Sequence, residues 1–149
     1  MKKMKNTISI VMLMITVFVS SCAKDNATDP NATSPTTDSR DAFVGSWGVT
    51  ENSTTSTTPN TYTVIIGKQS STSSSIVIDN FYGLTTYSVS AVVTGNTFKI
   101  PYQSIKNNTN STIGFAAGSG TLATSTKINI TYTTSIAGGR DSCTATYTK

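Results

Sequence analysis

The chain has 149 residues, which is enough for one ordinary domain. Charged residues make up 12% of it, about half the roughly 25% of an average soluble chain. Histidine is absent, which excludes a Ser-His-Asp triad and a histidine metal site, and two cysteines cannot form a Cys₄ zinc site. Zinc fingers, coiled coils and large multidomain enzymes are therefore excluded, and we expect neither a metal nor a cofactor.

The first segment, residues 1–21, has the pattern of a secretory signal. Lys2, Lys3 and Lys5 precede an apolar run over residues 8–19. A helix of that length rises about 18 Å, whereas a bilayer span needs about 20 residues. The pattern therefore predicts a signal peptide that is removed rather than a membrane-spanning helix.

The end of this segment, Val19-Ser20-Ser21-Cys22, resembles the lipobox of bacterial lipoproteins. The resemblance implies cleavage before Cys22, a diacylglyceryl group on its thiol and acylation of the new amine. Several acyl chains hold a protein stably in a bilayer, whereas one holds it only marginally. We therefore expect Cys22 to anchor the mature protein in the membrane through acyl groups such as palmitate. An ordinary signal peptide with an incidental cysteine is the alternative.

The residues after Cys22 bear on location. Ala23 stands where an inner-membrane retention signal usually has Asp, which favours the outer membrane. Lys24 and Asp25 resemble the export tag of surface lipoproteins in some Gram-negative bacteria. We expect an outer-membrane lipoprotein and leave open whether it faces the periplasm or the cell surface.

Residues 22–41 are predicted to be a disordered tether. They contain two prolines, four aspartates and no large apolar residue, so they cannot bury enough surface to order themselves. Without residues 1–21 the chain has eight basic and seven acidic residues, a net charge near +1. Because it has no basic stripe and no recognition motif, we expect no nucleic-acid partner.

Residues 42–149 are predicted to form an all-β domain. They hold 23 Thr and 16 Ser, and short apolar–polar alternations recur along them. Threonine suits the outward face of a half-solvated sheet. The predicted strands are Gly45–Glu51, Thr61–Ile66, Ser75–Asn80, Thr86–Thr94, Thr97–Tyr102, Thr112–Leu122, Lys127–Thr133 and Ser142–Thr148.

The connections favour closure of these strands. Gly95 and Asn96 predict a two-residue hairpin, and Gly138–Asp141 predict a second turn. Gly118 and Gly120 indicate a bulge, a sharp bend or a crossover inside the sixth strand. Since closure removes exposed sheet edges, we expect a small eight-stranded antiparallel up-and-down barrel, with a β-sandwich as the alternative.

The segment Phe43–Trp47 resembles the G-x-W element that opens lipocalin-like (calycin) domains. Further segments are similar to those of small lipocalin-like lipoproteins of Gram-negative bacteria: Ile76–Gly83, Ile100–Gln103, Gly118–Gly120 and Cys143–Tyr147. The resemblance implies a lipocalin-like barrel in which Trp47 plugs one end. The last strand has no arginine to cover this tryptophan, although Arg140 lies near its start.

Tyrosines are the candidate ligand-binding residues. Tyr62, Tyr87, Tyr132 and Tyr147 lie on predicted strands, and their rings and hydroxyls suit a cup for a small apolar or saccharide ligand. An eight-stranded barrel is wide enough either to fill itself or to hold one small ligand. Core packing of these rings is therefore the alternative.

The carboxylates of the domain are Glu51, Asp79 and Asp141. A glycosidase needs two carboxyl groups about 5–9.5 Å apart, and Glu51 and Asp79 could face each other from strand ends. We expect all three to be solvated, and we expect no catalytic residues and no enzyme. Cys143 is predicted to be a small buried hydrophobe rather than a reactive thiol.

Together these features predict an anchored, non-enzymatic binding module for a small apolar or saccharide ligand. The alternative is a filled barrel that acts on a protein partner through the loops at residues 52–58, 70–75 and 106–111.

Overall fold

The computed structural model describes residues 37–71 and 73–149. The predicted signal peptide, Cys22 and most of the predicted tether lie outside this range. Within it, no helix is long and apolar enough to cross a bilayer.

Eight antiparallel strands form a closed barrel in which each strand pairs with the next and the last pairs with the first. This arrangement confirms the predicted fold class and excludes the sandwich. The strands are β1 Gly45–Ser53, β2 Asn60–Lys68, β3 Ser75–Asp79, β4 Tyr87–Thr94, β5 Thr97–Asn107, β6 Thr112–Thr124, β7 Lys127–Ile136 and β8 Gly139–Thr148.

Side chains alternate between the interior and the outer face, as the period of two requires. In β1 the buried positions are Trp47, Val49 and Glu51, and the positions between them are exposed. Apolar inward side chains from all eight strands join Phe43 and Phe81 in one hydrophobic cluster. This cluster is the core that holds the barrel together.

A short 3₁₀ helix, Ser39–Ala42, precedes β1 at the end of the barrel that we call the base. Asp38 caps this helix by accepting a hydrogen bond from the Arg40 amide at 3.0 Å. The Arg40 guanidinium binds Asp38 and also donates to the Ser70 carbonyl in the β2–β3 loop. The predicted tether ends at residue 41, whereas these contacts make the segment from Asp38 part of the folded domain.

Trp47 is fully buried at the base. Its Nε1 donates to the Phe43 carbonyl at 2.7 Å, and the Lys149 Nζ lies 4.3 Å from the centroid of its ring. Lys149 also donates to the Val44 carbonyl, so the C-terminal residue is held across this end. Arg140 lies at the opposite end of β8, and the cation over the tryptophan is therefore a lysine that sequence reasoning did not consider.

β6 runs continuously through Gly118–Gly120, which excludes the predicted crossover, and the bulge predicted within β6 lies on its partner strand instead. The extra residue lies on β5, where Pro101 and Tyr102 stand opposite one residue of β6. A Cβ on Gly118 would lie 2.4 Å from the Tyr132 Cβ, and one on Gly120 would lie 2.3 Å from the Phe98 ring. These glycines thus let neighbouring groups approach the β6 backbone closely.

Both predicted hairpin turns are present, but the second begins earlier in the chain than predicted. Thr94 pairs with Thr97 around the two-residue Gly95-Asn96 turn, as predicted. The β7–β8 turn has Ala137 and Gly138 at its centre, so the four-residue turn Ile136–Gly139 begins two residues earlier than predicted. Both turn residues have positive φ, which suits the tight turns of β-hairpins.

Candidate functional site

The end of the barrel opposite the base, which we call the top, is covered by the β3–β4 connection. This connection contains a 3₁₀ helix, Phe81–Gly83. Phe81 is fully buried, and its ring centroid lies 4.7 Å from that of Tyr132. Asn80, Tyr82 and Gly83 all have positive φ, a backbone form that is sparsely populated outside glycine and asparagine. The helix therefore holds Phe81 over the core and turns Tyr82 toward β8.

A buried carboxylate, Glu51, lies beneath this helix and is the first part of the candidate site. Its side chain is 0% exposed. The Tyr62 hydroxyl donates to Glu51 Oε2 at 2.5 Å, and the Tyr132 hydroxyl donates to the same oxygen. Glu51 Oε1 and the Tyr147 hydroxyl are also buried, and neither has a hydrogen-bond partner among the described residues.

Asp141 is the second buried carboxylate and is 5% exposed. It accepts hydrogen bonds from Ser53 Oγ at 2.6 Å, from the Thr54 amide and hydroxyl at 3.0 and 2.9 Å, and from the Tyr82 hydroxyl at 2.8 Å. The Cys143 thiol lies 3.4 Å from the same carboxylate. Asp141 therefore joins the end of β1, the 3₁₀ helix over the top and β8.

The pKa values of the two carboxylates are shifted in opposite directions. Burial raises the pKa of Glu51, the hydrogen bond from Tyr62 opposes this rise, and the charge of Asp141 adds to it. Burial acts in the same direction on Asp141, but hydrogen bonds from Ser53, Tyr82 and Thr54 outweigh it and hold the pKa of Asp141 well below its usual range. Glu51 thus keeps its proton to a higher pH than an exposed glutamate does, whereas Asp141 stays ionised to a lower pH than an exposed aspartate.

The phenols and the thiol of this cluster stay protonated. Burial is the largest cause that raises the pKa of Tyr82 to about 12, and it also raises the pKa values of Tyr62, Tyr147 and Cys143. Cys143 is 3% exposed and free. Since the thiolate is the reactive form, a protonated buried thiol is a poor nucleophile.

The raised pKa of Glu51 predicts that the stability of the fold depends on pH. Its pKa is higher in the folded protein than in the unfolded chain, so stability falls as the pH rises from about 4.5 through the raised value, by at most about 1.4 kcal/mol per pH unit. We expect Glu51→Gln to flatten this slope in urea unfolding measured by circular dichroism at several pH values. The chain has no histidine to titrate in the same interval. Equal slopes in the two proteins would show that Glu51 does not hold a proton.

Three of the four candidate tyrosines belong to the cluster around Glu51. Tyr62 and Tyr132 bind its carboxylate, and the charge of Glu51 acts on the hydroxyl of Tyr147, whereas Tyr87 is half-buried against the hydrophobic core. Tyr147 is fully buried.

The expectation that all three carboxylates are solvated was wrong for Glu51 and Asp141. Asp79 does point outward from β3, so it does not share a cleft with the enclosed Glu51. The alternation of inward and outward residues could have indicated that both are buried. Glu51 follows Trp47 and Val49 at intervals of two, and Asp141 precedes Cys143 by two, so each shares the inward face of its strand. Tyr82 had no such signal, because its position depends on the 3₁₀ helix.

Side chains fill the barrel interior. The residues of the core cluster are 0–5% exposed, including the largest of them, Trp47, Tyr147, Phe43 and Phe81, and the inward side chains of Tyr62, Tyr87, Leu122 and Ile136 pack against this cluster partly buried. The walls of a ligand-sized cavity would stay accessible to a water-sized sphere, even if the cavity were closed. The rings predicted to line a cup therefore pack against other side chains.

The exposed large hydrophobic side chains of the described residues are Ile65, Val92, Tyr102 and Phe115, and the last two form a pair. Tyr102 of β5 and Phe115 of β6 are 75% and 39% exposed, and their rings stack in parallel with centroids 5.3 Å apart. We call this pair the aromatic ridge. Exposed aromatic groups of this kind often mark binding sites.

The fold and the buried cluster define a small closed antiparallel barrel with a filled interior and a hydrogen-bonded carboxylate network under its top. The chain belongs to a family of unknown function, DUF6705, whose profile matches residues 4–136. No curated protein matches it.

A solved structure described as a redesigned beta barrel is similar to this chain. It is 16% identical, with a TM-score of 0.52, and the match covers 78% of this chain and 98% of that one. At this identity the similarity shows the eight-stranded barrel fold alone.

Proposed function

We propose that this protein is a lipid-anchored, non-enzymatic binding module of the bacterial outer membrane, and that its filled barrel is a scaffold for recognition on the outer surface. The single observation that carries the proposal is the packed interior, which leaves the outer face and loops for binding. The lipobox-like sequence at Val19–Cys22 supports the anchor, and the family match includes this segment.

The outer strand face is a better candidate for binding than the loops at residues 52–58, 70–75 and 106–111. The exposed aromatic rings lie on β5 and β6 rather than in these loops. Two of the three loops are also shorter than the sequence indicates, since β1 continues to Ser53 and β5 to Asn107. A rigid strand surface loses little conformational entropy when it binds.

The buried cluster supports a structural role for the polar residues inside the barrel. Asp141 is occupied by hydrogen bonds from four side chains and one amide, and Glu51 is enclosed beneath the 3₁₀ helix. A general acid or base must reach a proton on its substrate. Enclosed carboxylates in a packed interior favour a binding protein over a hydrolase.

Cys22→Ser tests the anchor. In a Gram-negative host, we expect this variant to lose labelling by radioactive palmitate and to leave the membrane fraction, because the acylated thiol is removed. Cys143→Ser is the matched control and should keep both label and membrane association, since Cys143 is buried in the barrel. Membrane retention of unlabelled Cys22→Ser protein would refute the anchor. Protease treatment of intact cells then distinguishes the cell surface from the periplasmic face.

A further inference from the structure

The aromatic ridge exists because of the irregular pairing of β5. Pro101 and Tyr102 stand opposite a single residue of β6, and this bulge presents Tyr102 on the outer face. The Tyr102 ring then stacks on Phe115 at an angle of 4° and keeps most of its surface in water. The Gln103 side chain fills the gap that the bulge leaves in the β4–β5 ladder by bonding both backbone groups of Ser90. The hydrogen bonds of Gln103 to β4 thus stabilise the part of β5 that carries Tyr102.

A shallow groove runs from the ridge across β6, β7 and β8 toward β1. The part beside the ridge has a volume of about 380 Å³, and the part toward β1 about 520 Å³. Both parts include Ala117 on the floor and Thr133 on the wall, so they are adjacent. The floor is low because β6 carries only small side chains from Ala116 to Gly120.

The wall of the groove is polar and carries positive charge. Hydroxyl and amide side chains line it, with Asn52, Ser135 and Thr144 among them, and no carboxylate of residues 37–71 or 73–149 does. Arg140 is exposed at the ridge end, and its guanidinium forms no ion pair or hydrogen bond with any other residue in the described part of the chain. The guanidinium is therefore available to an anion.

We infer that this groove binds an oligosaccharide that bears carboxylate or phosphate groups. An exposed aromatic face packs against the C–H face of a sugar ring, and the hydroxyl-rich wall matches the ring hydroxyls. A guanidinium binds carboxylate and phosphate through paired hydrogen bonds. A purely apolar ligand would leave the wall unused, and an acidic peptide would not need the ridge. The inference rests on the proposed function, because it requires binding outside a filled barrel.

The test uses full-length protein in detergent micelles and isothermal titration with an oligogalacturonate. We expect Tyr102→Ala and Arg140→Gln each to weaken the Kd about tenfold. The methyl-esterified oligogalacturonate should bind about tenfold more weakly to the natural protein and be insensitive to Arg140→Gln, since it lacks the anionic group. Ile65→Ala and Lys127→Gln are matched controls. They remove an exposed apolar group and a cation outside the groove, and each should change the Kd less than about twofold.

The possible results separate this inference from the proposed function. Absence of oligogalacturonate binding, or equal losses in the control variants, would overturn the inference and leave the anchor and scaffold unaffected. Equal binding of polyglutamate would show that charge alone is recognised and would overturn the saccharide class. Loss of binding in Tyr62→Phe with retention in Tyr102→Ala would place the ligand inside the barrel and overturn both proposals. Circular dichroism checks that each variant is folded.

Discussion

Replacing Trp47 by alanine is expected to lower the free energy of unfolding by about 3–5 kcal/mol. The indole is 0% exposed and belongs to the core at the base. Its removal leaves a cavity that the closed sheet cannot readily collapse. It also leaves the Phe43 carbonyl without its donor and Lys149 without the ring below it. Urea unfolding followed by circular dichroism measures the loss.

Trp47→Phe is the matched variant for this prediction. It keeps an aromatic ring near Lys149 but removes the Nε1–H donor, so we expect a smaller loss of about 1–2 kcal/mol. A loss within about 0.5 kcal/mol for Trp47→Ala would mean that the packing of this ring does not stabilise the fold.

Removal of the Asp141 carboxylate is expected to be the second large effect. Asp141→Ala removes the carboxylate acceptor to which Ser53, Thr54 and Tyr82 donate at the top of the barrel. Because hydrogen bonds to charged groups contribute more than neutral ones, we expect a loss of about 3 kcal/mol at neutral pH. Asp79→Ala is the control: this residue is exposed, and its replacement should change stability by less than about 0.5 kcal/mol.

The effect of Asp141 depends on pH in a defined direction. The folded protein holds the pKa of this carboxyl below its unfolded value, so its contribution is present above about pH 4 and is lost as the pH falls further. The difference in stability between the natural protein and Asp141→Ala should therefore shrink in acid. A difference that stays constant with pH would show that the ionised carboxylate is not the acceptor.

These opposite pH dependences belong to two buried carboxylates under the top of the barrel, each with its own set of hydrogen-bond donors. Glu51 destabilises the fold as it ionises, whereas Asp141 stabilises it while ionised. The difference follows from donors: Asp141 receives several hydrogen bonds, while one oxygen of Glu51 has none from the described residues. Buried polar groups of this kind can specify one arrangement of the strands.

The strand pattern could be predicted because it depends on local chemistry. Alternation with a period of two marked all eight strands, and Gly95-Asn96 marked a hairpin whose register follows from its length. The candidate site could be predicted only in part. The sequence indicated Tyr62 and Tyr132 as ligand-binding residues but not their shared contact with Glu51. Along the chain, Tyr62 is 11 positions and Tyr132 is 81 positions away from Glu51.

The sequence by itself determined the order of the strands, the phase of their inward residues and the lipobox-like motif at Cys22, which remains a prediction. Only the tertiary structure decided that the interior is filled, that two carboxylates are enclosed and that Lys149 covers Trp47. It also decided that the bulge lies on β5 and places Tyr102 beside Phe115. The physical reason is that alternation and turn chemistry act between near neighbours, whereas packing and register depend on strands that meet only when the barrel closes.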